Sequence, residues 1–213
     1  MKICMISDTH EQHSKVEIPK CDLLIHAGDI TGRGALQKLN AFNTWLETLL
    51  ADGVVGDVVY IAGNHDISLQ DNREVAEGIL LSGNYLNNSM AYVGPADEQK
   101  CVFGIPDQLP FNDLAFNTPE PQLARMYKYI PDEVDILVTH GPPLGVLDEN
   151  NDGHHCGSKS LLDWIKSYQP RLVVCGHIHE GYGIALVDNT LVVNASTCTS
   201  DYKPTNQPIV LEL

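Results

Sequence analysis

Five short apolar runs in this sequence each break off into a polar cluster rich in metal-binding side chains. Ile3-Cys4-Met5-Ile6 leads into Ser7-Asp8-Thr9-His10, and Leu23-Leu24-Ile25 into His26-Ala27-Gly28-Asp29. Val58 to Ala62 leads into Gly63-Asn64-His65-Asp66. Ile136-Leu137-Val138 leads into Thr139-His140-Gly141-Pro142-Pro143, and Leu172 to Cys175 into Gly176-His177-Ile178-His179. Six of the chain's nine histidines fall in these clusters: His10, His65, His140, His177 and His179 as candidates for the site, and His26 at the head of its own. One histidine at a strand end is commonly structural; five strand ends carrying compatible donors point to a shared site. Asp8 and His10 are two residues apart, as are His177 and His179, and in extended backbone such pairs face the same side. Carboxylate, imidazole and carboxamide donors together suit Mn²⁺, Fe²⁺, Zn²⁺ or Ni²⁺ better than Ca²⁺ or a thiolate-bound zinc.

The elements that must present these clusters are buried strands. Continuous Val/Ile/Leu runs of this length suit strands covered on both faces. Between them, Leu36, Leu39, Phe42, Leu46, Leu49 and Leu50 follow helical spacing across about 35–51, and Leu161, Leu162 and Ile165 across about 159–168. A weaker helix is expected near 119–128. Strands alternating with helices give an α/β protein, in which ligands bind beyond the carboxyl ends of the strands. The C-terminal part differs: Gly183–Val187, the turn Asp188-Asn189 and Thr190–Val193 read as a hairpin, and Pro208 to Leu213 as a last strand. The expected sheet system is therefore mixed. The stretch from about 95 to 120, rich in Pro, Asn and Asp, reads as a surface excursion near substrate entry.

Composition sets the outer limits. The chain has 213 residues, 43% hydrophobic and 19% charged, with no linker, repeat or composition shift, so one domain over 1–213 is expected. No apolar run approaches the roughly 20 residues that span a bilayer. The first residues read as a strand rather than a signal peptide, which makes the cytoplasm the expected location. A formal net charge of −15 disfavours nucleic acid polymers as partners. Six scattered cysteines with no C-x-x-C pair read as reduced core residues, with a disulfide framework or zinc-thiolate site as the alternatives.

Asp8-x-His10, Gly28-Asp29, Gly63-Asn64-His65-Asp66, Thr139-His140-Gly141-Pro142-Pro143 and Gly176-His177-x-His179, in that order, resemble the calcineurin-like metallophosphoesterase signature. The resemblance runs from about Lys2 to the C-terminus. It is strongest to the class III cyclic-nucleotide-phosphodiesterase-like branch, including the animal metallophosphoesterase-domain-containing subfamily, through Asp135–Gly145, His179–Gly183 and Asn194–Thr199. It implies a four-layer α-β-β-α sandwich with two mixed β-sheets. It also implies two divalent cations (Mn²⁺, Fe²⁺, Zn²⁺ or Ni²⁺, with Mn²⁺ best placed to support activity). Asp8, His10, Asp29 and His179 would hold the first, and Asp29, Asn64, His140 and His177 the second. Asp29 would bridge them, and a metal-bridging hydroxide would attack phosphorus. His65 would donate a proton to the leaving alkoxide, with Asp66 orienting His65 or fixing the loop.

Some features depart from the family pattern. Gly32 stands where the phosphoprotein phosphatases of this superfamily carry a second Asp. Arg33 reads either as a phosphate contact or as a surface residue at a helix start. Phe111-Asn112-Asp113 and Ala115-Phe116-Asn117 resemble the subfamily, but Asp107 and Leu109 replace tryptophans often seen nearby. Adjacent His154 and His155 point to opposite sides of extended chain, so this segment reads as a pocket-mouth loop rather than a third metal site. His26 reads as a core or second-layer residue, His13 as exposed and Asn194 as structural. The expected function is hydrolysis of small phosphodiesters, with a small-molecule phosphoester substrate and no membrane partner. A broad phosphomonoesterase and a non-catalytic scaffold are the alternatives, and a homodimer is compatible with the sequence.

Overall fold

Strands that are apolar at every position need cover on both faces, and the chain supplies it by stacking two sheets between two layers of helices. The computed structural model describes all 213 residues. The first sheet contains β1 (Lys2–Ile6), β2 (Cys21–His26), β3 (Val55–Tyr60), β4 (Asn84–Tyr85) and β11 (Ile209–Glu212). Its order is β11-β1-β2-β3-β4, parallel except for β11 at the edge. The second sheet contains β5 (Ser89–Val93), β6 (Lys100–Ile105), β7 (Ile136–Thr139), β8 (Leu172–Cys175), β9 (Gly183–Val187) and β10 (Thr190–Asn194). Its order is β5-β6-β7-β8-β10-β9, with antiparallel strands at both edges. Five helices join them: α1 (Leu36–Ala51), α2 (Ile67–Asp71), α3 (Arg73–Glu77), α4 (Glu120–Tyr127) and α5 (Lys159–Tyr168).

The strand period of two sorts each run onto its two covers. Ile3 and Met5 of β1 face the second sheet and join Leu23, Ile25 and Val59 against Val102, Ile136, Val138, Leu172 and Val174. Cys4 and Ile6 face outward and pack with Leu24, Val58 and Tyr60 against Leu39, Phe42 and Leu46 of α1. On the other side, Phe103, Leu137 and Val173 pack against Leu123 of α4 and Leu161, Trp164 and Ile165 of α5. Each fully buried aliphatic side chain contributes roughly 1.5–3 kcal/mol, so these three cores hold the layers in register. Helix α5 starts where the Ser158 side chain accepts a hydrogen bond from Leu161 N and stops at left-handed Gln169.

The strand-end clusters and the three expected helices lie where the sequence places them, and the hairpin turns at Asp188-Asn189. The segment 95–120 is different. Lys100–Ile105 is β6, an interior strand between β5 and β7, and the irregular chain is confined to 95–99 and to the part after Ile105. Pro95 and Pro106 on either side, with nearby Asp and Asn, hid the apolar run Cys101-Val102-Phe103. At Gly104 a Cβ would run into Leu86 and Ile61 at 2.5 and 2.7 Å, so the glycine is a packing requirement inside the strand. All six cysteines are free, and Cys156 is the one not fully buried. No helix is long and apolar enough to cross a membrane.

His13 corrects the expectation of exposure. It is buried in T-shaped contact with Phe42 and beside Trp45. His26, also in T-shaped contact with Phe42, is buried too and hydrogen-bonds Thr9 Oγ1 at 2.9 Å. Burial pushes His13 down to about 4 and His26 down to about 3 from the ordinary 6.5. The unfolded chain therefore takes up these protons at higher pH than the folded chain does. Their contribution to stability is full above about 6.5 and is lost as pH falls towards 4. Two protons correspond to at most about 2.7 kcal/mol per pH unit. We expect the urea midpoint to fall between pH 7 and pH 5, and a His13→Leu variant to show a shallower fall, with the other depressed histidines, His26 and His177, keeping the rest. Equal slopes in the two proteins would clear His13 of this role.

Candidate metal centre

The parallel strands of both sheets end on the same side of the sandwich, and the metal-binding side chains collect there. A parallel bridge between Ser7 and Ser196 ties the end of β1 to the segment after β10, with Thr197 N donating to the Ser7 carbonyl at 2.8 Å. Gly176 N donates to the His140 carbonyl at 2.9 Å. The first link locks a strand-end loop of one sheet to one of the other, and the second joins neighbouring loops within the second sheet.

Leaving a strand while aiming a side chain back over its end demands unusual backbone. Asp8, His10, Asp29 and His177 have φ of 51, 41, 56 and 67°, in the left-handed region. Such residues each cost of order 1 kcal/mol or more and cluster at functional sites. Close approach adds a second constraint. A Cβ at Gly63 would strike the Asp29 carboxylate and His140, and one at Gly176 would strike Asp8 and Ser7.

Asp8, His10 and His179 form one group, and Asp8, Asp29 and His140 another, with candidate ligand atoms in each all within 4.8 Å of one another. His179 Nε2 lies 3.4 Å from both Asp8 Oδ1 and His10 Nε2. Asp29 divides its oxygens: Oδ2 lies 3.8 Å from His10 Nε2, and Oδ1 lies 3.4 Å from His140 Nε2. Asn64 Oδ1 approaches the same His140 Nε2 at 2.9 Å. The His177 ring stands 5.0 Å from that of His140, outside the tight groups but on the same pocket. The seven residues read from the sequence as ligands thus converge, and Asp29 has the posture of a bridge. His65 also falls in a tight group with His10 and Asp29.

The donor set fits cations. The Nδ1 of His140 faces the Ala27 carbonyl at 2.9 Å, and that of His179 faces the Thr199 carbonyl at 2.9 Å. A carbonyl only accepts, so Nδ1 carries the proton and Nε2 turns a lone pair into the pocket. There it meets carboxylate and amide oxygens, which are also acceptors, and only a cation or an added proton reconciles them. Neither Asp8 nor Asp29 has a lysine or arginine as ion-pair partner; histidines alone face them.

The electrostatics carry the same signature. Burial would raise the Asp8 carboxyl, but the hydrogen bond and charge of His179, with His140 and His10, hold it well below the carboxylate range. Burial likewise opposes the charge of His140 at Asp29, which ends at about 2. Burial would lower His140 and His179, yet Asp29 raises the first and Asp8 the second, each to about 9. His177, pushed down to about 3 by burial and then by the charge of His140, stays neutral.

Asp66 was expected to orient His65 or fix the loop, and its hydrogen bonds fix the loop. It is fully buried and accepts from the backbone N–H groups of Ile30, Thr31 and Gly63 and from Thr31 Oγ1, without touching the His65 ring. His65 is set instead by Gly32, whose carbonyl lies 2.7 Å from Nδ1, and its N–H donates to Asp29 Oδ1 at 2.8 Å. Asn194 braces the histidine loop, donating to the Leu147 and Ile178 carbonyls. Arg33 is exposed and lines no part of the pocket. The loop carrying His154 and His155 borders the site through Asn150, Asn151, Asp152 and Cys156, while His155 pairs with Asp148 at 2.8 Å.

Sequence reasoning missed Ser196, whose hydroxyl donates to Asp8 Oδ2 at 2.9 Å, and Tyr202, whose ring packs on His10, His65 and His179. Ser196 lies in the Asn194–Thr199 block, which was a usable signal. Tyr202 had none.

Residues 1–181 match the profile of the calcineurin-like phosphoesterase family. The chain is 36% identical to the human "Metallophosphoesterase domain-containing protein 1", over 98% of this chain and 69% of that protein. A more distant relative, 26% identical over 84% of this chain and 72% of its own, is the "Probable glycerophosphodiester phosphodiesterase GpdQ" of Arcobacter nitrofigilis. In fold the chain is similar to TT1561 of Thermus thermophilus, with a TM-score of 0.65 and 16% identity over 91% of this chain and 88% of that one. The chain belongs to the calcineurin-like phosphoesterase family, and is a metal-dependent hydrolase of phosphoester bonds.

Proposed function

We propose that this protein hydrolyses small phosphodiesters, using two divalent cations, Mn²⁺ by preference, held by Asp8, His10, Asp29, Asn64, His140, His177 and His179. Residues 1–213 are taken as one metallophosphoesterase domain. The observation that carries the diester reading is the cleft beside the metal pocket. It has a volume of about 500 Å³, shares Phe111, His177 and Glu180 with the pocket, and includes Leu109, Pro110 and Ile178. No lysine or arginine lines either space. A monoester dianion would find no cationic side chain, while the second substituent of a diester monoanion finds an apolar wall.

Bound cations would supply Lewis acidity and an activated water. The rest falls to the chain. Asp29 keeps the two ligand sets together through its two oxygens, and the backbone N–H of His65 fixes the carboxylate in that pose. The Gly32 carbonyl holds the proton on His65 Nδ1, so the mobile proton of the imidazolium sits on Nε2. From there it passes to the leaving alkoxide as the ester bond breaks. Asp66, bound to the loops on both sides, keeps Asp29 and His65 at a fixed separation.

With Mn²⁺ supplied, turnover of bis-p-nitrophenyl phosphate should exceed that of p-nitrophenyl phosphate; the reverse order would make the protein a monoesterase. Chelation should abolish both activities, and Mn²⁺ should restore them. An Asp29→Ala variant should hold less than about one ion per chain by elemental analysis and lose nearly all activity, since it removes the shared ligand. His65→Ala should keep its metals but slow turnover by roughly 10²-fold or more, most for esters with poor leaving groups. A uniform rate across leaving groups would remove His65 from proton transfer.

A further inference from the structure

Two aromatic rings project into the mouth of the metal pocket from loops distant in sequence. Phe111 is 49% and Tyr202 50% exposed, an unusual state for large rings in an otherwise polar site. They stand on different partners. Phe111 meets His177 edge-on, with centroids 5.2 Å apart. Tyr202 meets His10 at 4.8 Å, His179 at 5.6 Å and His65 at 6.2 Å, all T-shaped.

Tyr202 is held deliberately. Its φ is +58°, in the left-handed region that a bulky residue rarely adopts. Its N–H donates to the Thr199 carbonyl, the same carbonyl that faces His179 Nδ1, and its own carbonyl accepts from Gln12 Nε2 at 2.8 Å. His10 gives it a task, because the buried Nδ1 of His10 has no hydrogen-bond partner. Packing against the Tyr202 ring therefore replaces a hydrogen bond as the restraint on that ring.

We propose that these rings divide the two ester substituents of the substrate: Tyr202 walls the side taken by the leaving group, and Phe111 the side of the group that stays on phosphorus. This rests on the phosphodiesterase reading. The division follows from the neighbours. His65, the proton donor, lies within packing distance of Tyr202, so the departing oxygen leaves on that wall. Phe111 opens instead onto the cleft with Leu109, Pro110 and Ile178, which has room for a substituent that need not leave at once. The P–O bond on the Tyr202 side breaks as its oxygen takes the His65 proton, phosphorus gains the hydroxyl of water, water's other proton restores His65 through solvent, and the Phe111-side ester bond stays intact.

The test uses the Mn²⁺-loaded full chain with three p-nitrophenyl esters: bis-p-nitrophenyl phosphate, methyl p-nitrophenyl phosphate and p-nitrophenyl phosphate. All release the same phenolate, and they differ only in what stays on phosphorus. Phe111→Ala should raise KM for the bis-aryl ester about threefold to tenfold, the worth of one aromatic contact, and shift the other two much less. Tyr202→Ala should lower kcat on all three by a similar factor, leave the aryl-to-methyl KM ratio alone, and retain its metals by elemental analysis. Tyr202→Phe should restore the rate, since the ring makes the contacts. Calorimetry with phenylphosphonate and methylphosphonate gives a readout free of turnover: Phe111→Ala, and not Tyr202→Ala, should erase the phenyl advantage. Loss of that advantage in Tyr202→Ala, loss of its metals, or unchanged kinetics in both alanine variants would overturn the assignment. Failure of the diesterase reading would look different: the wild-type chain would prefer the monoester, and the Tyr202 effect would still be read on it.

Discussion

The constraint on which the rest of this structure depends is the burial of two carboxylates, Asp8 and Asp29, with no lysine or arginine beside them. A buried carboxylate without compensation is costly enough that a fold normally pairs it or protonates it. Here the partners are backbone N–H groups, the Ser196 hydroxyl and imidazoles. Asp8 takes the N–H of His177, and Asp29 the N–H of His65. Two of the imidazoles that face them, His140 and His179, are themselves held by carbonyls behind, at Ala27 and Thr199, so that Nε2 turns inward. Charge, orientation and burial together leave an anionic hole that cations complete. The left-handed backbone at Asp8, His10, Asp29 and His177 is the conformational cost of keeping it open in front of a packed core.

That hole belongs to neither sheet alone. Asp8, His10, Asp29 and Asn64 follow strands of the first sheet, and His140, His177 and His179 follow strands of the second. Each expected ligand set draws from both, so the distance between the sheets sets the distance between ligands. The inter-sheet core of Ile3, Met5, Leu23, Ile25 and Val59 against Val102, Ile136, Val138 and Val174 thus acts as the ruler of the metal site. Close-packed interiors resist small changes of volume, which suits a site whose ligands must stay fixed to tenths of an ångström. The Ser7–Ser196 bridge puts a second restraint at the rim, a few atoms from Asp8.

What could be read in advance follows from this division. Strands β1, β2, β3, β7 and β8 announced themselves because each carries an apolar run and ends abruptly in donors. Helices α1 and α5 were legible by their spacing of buried residues. Strand β6 was not, because flanking Pro, Asn and Asp outweighed a run interrupted by Gly104, and that glycine answers to Leu86 and Ile61 outside its own strand. Neither β4, only two residues long, nor α2 and α3, five residues each, carries a periodic signal. His13 looked exposed because its burial depends on Phe42 and Trp45 arriving from α1. The ligands were legible as residues, while their supports, Thr199 and Gly32, act through backbone carbonyls, for which any side chain serves.

The same logic separates what the fold fixes from what it leaves adjustable. Metal ligands ride on strand ends, where a shift of one residue would turn every side chain to the wrong face. The walls of the pocket ride on loops: Phe111 on the segment after β6, Asn150 to Cys156 on the segment after β7, and Tyr202 on the segment after β10. These segments can change without disturbing the inter-sheet core, so substrate choice varies independently of metal binding. Tyr202 is the exception that joins the two levels. Its loop supplies the carbonyl that orients His179, and its ring restrains His10, so whatever shapes that wall also touches the first ligand set. A change of substrate preference through Phe111 is therefore open to the protein in a way that one through Tyr202 is not.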